Sequence, residues 1–370
     1  MKKIIILIFC ALIIALSFIK FDITANFGGG SAFIIKGAVK KETAVSYGGI
    51  SKLRSSVKRV KIYNEKNEYA CSLEMDGVSL QDVLALAQTE KKADDGFDRD
   101  LDMFVVVRGK NGKSALFSYG EIISAKDMNS ITVTKSAKHI FPHKHSDLSQ
   151  TGFDMNRWTR ADGYSSLDTK NCASCHDGKE QKSVYFPEGF CLFAACDASN
   201  ARFVENITEI EICQAPKMTL TPEKDKENMW CEKPTLIFSG KNTVEITIDG
   251  IKSLPKFGHT ENTVGMGKGF HGKLAYGGYD MAQIIKNNMQ DKTETAKMYV
   301  LVTAADGYRS LFSAGEIFDS LYGPNLFLAD TENEKELQKG SGKFRIFIKS
   351  DFFVDRSIRS VKEISCEYYK

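Results

Sequence analysis

Apolar residues fall along this chain in three patterns, and each predicts a different element. Ile4 to Ile19 is an almost unbroken apolar run of 16 residues behind Met1-Lys2-Lys3, the layout of an export signal. Short continuous runs such as Met103-Phe104-Val105-Val106-Val107 and Met298-Tyr299-Val300-Leu301-Val302 predict strands. After Ser79 and again after Asp280 the apolar residues take helical spacing (Leu80, Val83, Leu84; Met281, Ile284, Ile285). Both polar residues are placed to cap a helix, each behind an expected turn at Gly77 or Gly278.

The patterns repeat. Residues 103–122 align without a gap on residues 298–317, with ten of the twenty positions identical at an offset of 195. Each copy reads as a strand, a glycine turn (Lys110-Asn111-Gly112 or Ala305-Asp306-Gly307), a second strand, and a Gly-Glu-Ile segment. Further on, Phe190–Ile212 matches Phe344–Cys366 at an offset of 154, sharing Asp197/Asp351, Arg202/Arg356 and Glu209-Ile210/Glu363-Ile364. The first copy therefore carries 41 additional residues between Ile122 and Phe190. The expected architecture is α/β (mixed α+β), with two tandem domains from an internal duplication. Residues 1–25 are read as a signal or anchor, 32–212 as the first domain with an insertion at about 136–188, 213–235 as a linker and 236–370 as the second domain.

The extra segment carries the chemistry. Cys172-Ala173-Ser174-Cys175-His176 has C-x-x-C-H spacing, which attaches a c-type haem: two thiols reach the porphyrin vinyl groups, and the adjacent imidazole ligates the iron. Such attachment takes place outside the cytoplasm, in keeping with the leader. The small residues Thr24 and Ala25 suit a cleavage site, and a run of this length also suits a retained inner-membrane anchor. The expected location is periplasmic or otherwise extracytoplasmic.

Upstream, Lys138-His139-Ile140-Phe141-Pro142-His143-Lys144-His145 holds three of the six histidines. The run resembles that of low-potential multihaem cytochromes, which implies His143 as distal iron ligand and His145 as second choice, with His139 and Met155 as further substitutes. Two imidazoles would give a six-coordinate iron suited to electron transfer. Arg157 and Trp158, in the same segment, are candidates to pair a propionate and cover a porphyrin face.

Charge narrows the partners. A net +3 spread over 97 charged side chains, without a basic block, argues against nucleic acid and leaves redox proteins as the expected partners. Besides Cys10 and the haem pair there are six cysteines, Cys71, Cys191, Cys196, Cys213, Cys231 and Cys366, an even set that permits disulfides in an exported protein. Cys213–Cys231 is the favoured bridge. Zinc on Cys172, Cys175, Cys191 and Cys196 is the rival to haem. Cys191 and Cys196, five apart on an expected strand, would point to opposite faces. Gly265–Gly272 reads as a glycine-rich hairpin or strand crossing rather than a phosphate loop.

The repeated unit resembles the oxidoreductase molybdopterin-binding domain of the sulfite-oxidase type, through Asp76–Leu84, Val302–Tyr308 and Arg202–Ile210. The resemblance implies a cysteine ligand to molybdenum upstream of the Gly-Val-x-Leu turn. Only Cys71 stands near that place, on an expected strand, and the second copy has no counterpart before Cys231. A molybdenum cofactor is therefore not expected. The reading is an exported monohaem protein of extracytoplasmic electron transfer, more carrier than catalyst. The alternatives are a molybdenum oxidoreductase with haem as relay, a gas-binding sensor module, and a zinc- or disulfide-stabilised module.

Overall fold

A computed structural model describes residues 32–63, 69–92, 96–140, 159–160, 189–238, 242–289 and 297–369, all within one compact unit, Ser31–Lys370. The fold is mixed and strand-rich, with four five-stranded sheets among the described residues. Strands β1 to β10 are Phe33–Gly37, Thr43–Val45, Ser55–Tyr63, Tyr69–Ser79, Met103–Gly109, Ser114–Ser118, Ile131–Ile140, Thr159–Arg160, Cys191–Ala194 and Ile207–Gln214. Strands β11 to β20 are Thr235–Phe238, Asn242–Glu245, Lys256–Gly265, Gly269–Asp280, Met298–Ala304, Arg309–Ser313, Leu326–Glu332, Lys335–Glu336, Arg345–Ile348 and Val361–Tyr368. One sheet runs β2-β1-β10-β5-β6 and another β12-β11-β20-β15-β16. In both, a single parallel pair (β1 with β10, β11 with β20) sits among antiparallel ones. The remaining sheets are β3-β4-β7-β8, with β9 on β7, and β13-β14-β17-β18, with β19 on β17.

The continuous apolar runs of β5 and β15 arise because both faces of each strand are covered. Met103, Val105 and Val107 enter the core of the first half, while Phe104 and Val106 point the other way, into a cluster shared with the second half. On β15, Met298, Val300 and Val302 serve the second core, and Tyr299 and Leu301 face the seam. Phe104 stacks on Tyr299 with ring centroids 5.1 Å apart, and Leu116 and Leu311 join the same buried cluster. An aromatic pair of this kind adds about 0.5–1.5 kcal/mol beyond its buried area.

The helices are short: α1 Tyr47–Ile50, α2 Leu80–Ala85, α3 Tyr119–Ile123, α4 Ile248–Ile251, α5 Met281–Asn288 and α6 Ala314–Phe318. Ser79 and Asp280 cap α2 and α5 as their sequence positions suggest, accepting from the backbone N–H of Asp82 and Ala282. The Gly-Glu-Ile segments start with capping boxes, Ser118 with Glu121 on α3 and Ser313 with Glu316 on α6. Among the described residues no helix is long and apolar enough to cross a membrane.

Two expectations are corrected. Gly77 and Gly278 are not turns but lie inside β4 and β14, at register shifts where the neighbouring strand passes close. A β-carbon would stand 2.8 Å from the Val133 carbonyl oxygen at Gly77, and 2.6 Å from the Leu328 oxygen and Ala329 Cα at Gly278, so glycine is required by backbone contact. The favoured bridge does not form either: Cys213 and Cys231 are free thiols. Cys213 packs with the seam cluster, where burial pushes its thiol up to about 12. The glycine turns at Gly112 (φ +82°) and Gly307 (φ +83°) and the Gly265 hairpin, which joins β13 to β14, stand as expected.

Candidate functional site

The shared arginines meet at the seam between the halves. Arg202 donates through Nε to Asp197 (2.8 Å), through Nη1 to Glu121 (2.8 Å) and across the seam to Ser313 Oγ (3.0 Å). Arg356 does the same in reverse, donating to Asp351 (2.8 Å), to Glu316 (2.9 Å through Nη2) and to Ser118 Oγ (3.1 Å). The backbone follows suit. Ala125 bridges Asp351, and Asp197 bridges Ser320. Lys126 N–H donates to the Ser350 carbonyl and Leu321 N–H to the Cys196 carbonyl. Gly120 and Gly315, from the Gly-Glu-Ile segments, are the floor on which Arg356 and Arg202 lie.

These side chains are buried to at least nine-tenths, which sets their electrostatics. Burial pushes the Glu121 carboxyl up to about 7 against the opposing pull of Arg202, with Glu316 adding to the rise. Asp351 is pushed up to about 6 by burial, again against its arginine. Burial lowers both guanidiniums, but Asp197 and Glu121 for Arg202, and Asp351 and Glu316 for Arg356, more than reverse it. Asp102, fully buried, adds a third linkage, pairing with Lys91 (2.7 Å) of its own half and Arg309 (2.6 Å) of the other. The four shared residues at the offset of 154 were visible in the sequence; their convergence with the Ser-x-Gly-Glu segments was the signal left unread.

The predicted haem residues Cys172, Cys175 and His176, the distal candidates His143 and His145, and Met155, Arg157 and Trp158 lie outside the described residues, as does the leader. Of His139 only the backbone is described, paired with Leu73 in β4. The base of the inserted segment is well defined. The chain leaves at the end of β7, contributes β8 as a short strand on β7 (Ser136 with Arg160, Ala137 with Thr159), and returns as β9 on the same strand. In the second half the corresponding strands β17 and β19 are joined by residues 333–344, with β18 between them. The described parts of the segment's two ends thus belong to one sheet.

The remaining cysteines are packing groups. Cys71 and Cys191 share one apolar cluster, and Cys196 packs against the main core of the first half. Burial, with Glu205 nearby, pushes the Cys71 thiol up to about 12, so it is a protonated core thiol. Among the described residues no group of three or more His, Cys, Asp or Glu side chains is placed to hold a metal. A cavity of about 380 Å³ opens at the seam beside Glu121, Cys196, His259 and Tyr322. A larger one, about 690 Å³, lies in the second half between the β13–β14 hairpin and the segment 354–359.

No family model matches this sequence, and no curated protein does. Among solved structures the chain is similar to the sulfane dehydrogenase SoxCD from Paracoccus pantotrophus, at 13% identity with a TM-score of 0.31. That match covers 43% of this chain and 42% of the other, less than half of either. Similarity at that level carries no argument about activity.

Proposed function

We propose that this protein is an exported c-type monohaem carrier in extracytoplasmic electron transfer, with its haem on an insertion in the first of two duplicated, sulfite-oxidase-like domains. The observation that carries the reading is Cys172-Ala173-Ser174-Cys175-His176 within the 41-residue excess, behind an exportable leader. Bound there, haem supplies a one-electron couple. Cys172 and Cys175 would hold it covalently, and His176 together with His143, or His145 as second choice, would ligate the iron. The matching strand orders of the two halves support the duplication. The reciprocal seam supports a scaffold role, since each of its buried arginines is matched by carboxylates of the same seam.

Molybdenum is left out of this reading because the one cysteine near the expected ligand position, Cys71, lies within β4 in an apolar cluster with Leu73 and Met75, and the second half has no counterpart before Cys231. The deciding experiment is a pyridine haemochrome spectrum of full-length protein produced with a haem-maturation system. A c-type band at one haem per chain, six-coordinate and low-spin, is expected; stoichiometric zinc without that band overturns the reading.

A further inference from the structure

The cavity of about 690 Å³ in the second half has a counterpart position in the first half, and the two are built differently. At the offset of 154, Arg345, Ser357 and Arg359 correspond to Cys191, Phe203 and Glu205. In the first half Cys191 and Phe203 fill the place with an apolar cluster that includes Cys71 and Leu73. The fold therefore closes without cations there, and the second half has put two arginines and a serine where packing requires none.

Arg345, on β19, is 5% exposed. Its guanidinium lies 4.9 Å from the Tyr276 ring centroid, and its Nη1 donates to Glu332 at 3.1 Å. Its Nε and the Ser357 Oγ are closed off from solvent without a hydrogen-bond partner among the described residues, so the charge that meets the cavity is that of the guanidinium as a whole. Burial and the neighbouring Arg359 both lower the Arg345 pKa, so an anion bound on this wall would offset the charge of the two arginines.

Lys268, His271 and Arg99 add to the wall. The acidic members are already engaged: Asp355 accepts from Met266 N–H (2.8 Å) and faces Arg99 (3.8 Å), and Asp306 accepts from Tyr308 N–H (3.0 Å). Asp355 thereby pins the hairpin turn that forms one side of the cavity.

We propose that this cavity binds a small organic anion through a phosphate or sulfonate group, with Arg345, Arg359 and Lys268 supplying the positive charge of its wall. Planar guanidinium groups suit such oxyanions, and the volume lies within the range of sites for organic ligands, about 300–1,000 Å³. The inference does not depend on haem.

The test is isothermal titration of full-length protein with phenyl phosphate and with benzenesulfonate at constant ionic strength. Saturable binding of at least one, at one per chain, is expected, and the tighter of the two identifies the group. Arg359 is exposed, so Arg359→Ala should keep the melting temperature and weaken binding at least tenfold. Arg345→Gln should abolish binding while leaving the circular dichroism spectrum unchanged. Absence of saturable binding for both probes, or equal affinity in Arg359→Ala, overturns the proposal.

Discussion

Gly315 touches the Arg202 guanidinium so closely that a β-carbon there would stand 2.1 Å from Arg202 Nε, and Gly120 meets Arg356 Cδ at the same distance. Each glycine is fixed by an arginine of the other half, which itself is held by two carboxylates and cannot move aside. Gly315→Ala and Gly120→Ala should each destabilise by about 1–3 kcal/mol, the usual cost of overpacking a rigid site. Urea denaturation of the two variants checks this, and losses of similar size are expected because each glycine lies against the end of a held arginine.

Removing an arginine from the seam should cost more than removing a serine. Arg202→Met leaves Asp197 and Glu121 buried without a cation, and breaking a buried pair on one side costs about 3–5 kcal/mol. Ser313→Ala removes one hydrogen bond to the same guanidinium and the cap that Ser313 supplies to α6, together worth roughly 1–3 kcal/mol. Chemical denaturation of both variants, and of Arg356→Met with Ser118→Ala, should give the same ordering on the two sides.

Stability should fall as pH rises from mildly acid to neutral. Glu121 has a folded pKa of about 7 against an ordinary 4.5, and Asp351 about 6 against 3.8. Raised carboxylates mean that the folded state binds more protons than the unfolded one inside those windows. Their contribution is full below the ordinary values and is lost as pH rises through about 6 and then about 7. Asp127 and Glu211 shift the other way, but both are partly exposed and screened. Unfolding free energy measured at pH 5.5 and at pH 8 should therefore drop by on the order of 1 kcal/mol or more, and Glu121→Gln should flatten the slope.

Excising the inserted segment should spare the scaffold. Replacing residues 138–190 by residues 333–344 joins β7 to β9 with the connection the second half already uses. It also keeps a phenylalanine, Phe344 for Phe190, at the buried position before the strand. The expected product is folded, cooperative in thermal unfolding and colourless. Loss of cooperative unfolding would show that the segment is part of the core.

Within that segment the residues should separate by spectroscopy. Cys172→Ser or Cys175→Ser should leave haem extractable by acidified solvent or attached by a single thioether, and His176→Ala should remove the low-spin spectrum. His143→Ala should give a high-spin band that binds carbon monoxide. If His143→Ala leaves the spectrum unchanged, His145→Ala is expected to produce that result.

What could be read in advance follows from where each signal resides. The doubly covered strands β5 and β15, the caps at Ser79 and Asp280 and the turns at Gly112 and Gly307 were legible because each depends on neighbours a few residues away. Gly77 and Gly278 were misread as turns because their glycine is required by Val133, and by Leu328 and Ala329, 50 or more positions distant. Residue type alone does not tell a turn from a close crossing. The seam was half legible: Arg202, Asp197 and Ser313 were each visible as repeated residues, but repetition does not say which ones touch. The cavity at Arg345 was not legible at all, since it depends on a difference between the halves at positions where the sequence comparison sought likeness.

The reciprocal seam also sets an order of events during synthesis. Arg202 has no Ser313 to meet, and Ser118 no Arg356, until nearly the whole chain has left the ribosome. Until then the apolar face of β5 and β6 has nothing to cover it. Either half taken alone therefore presents an apolar sheet face to its surroundings, and docking of the other half is the step that removes it.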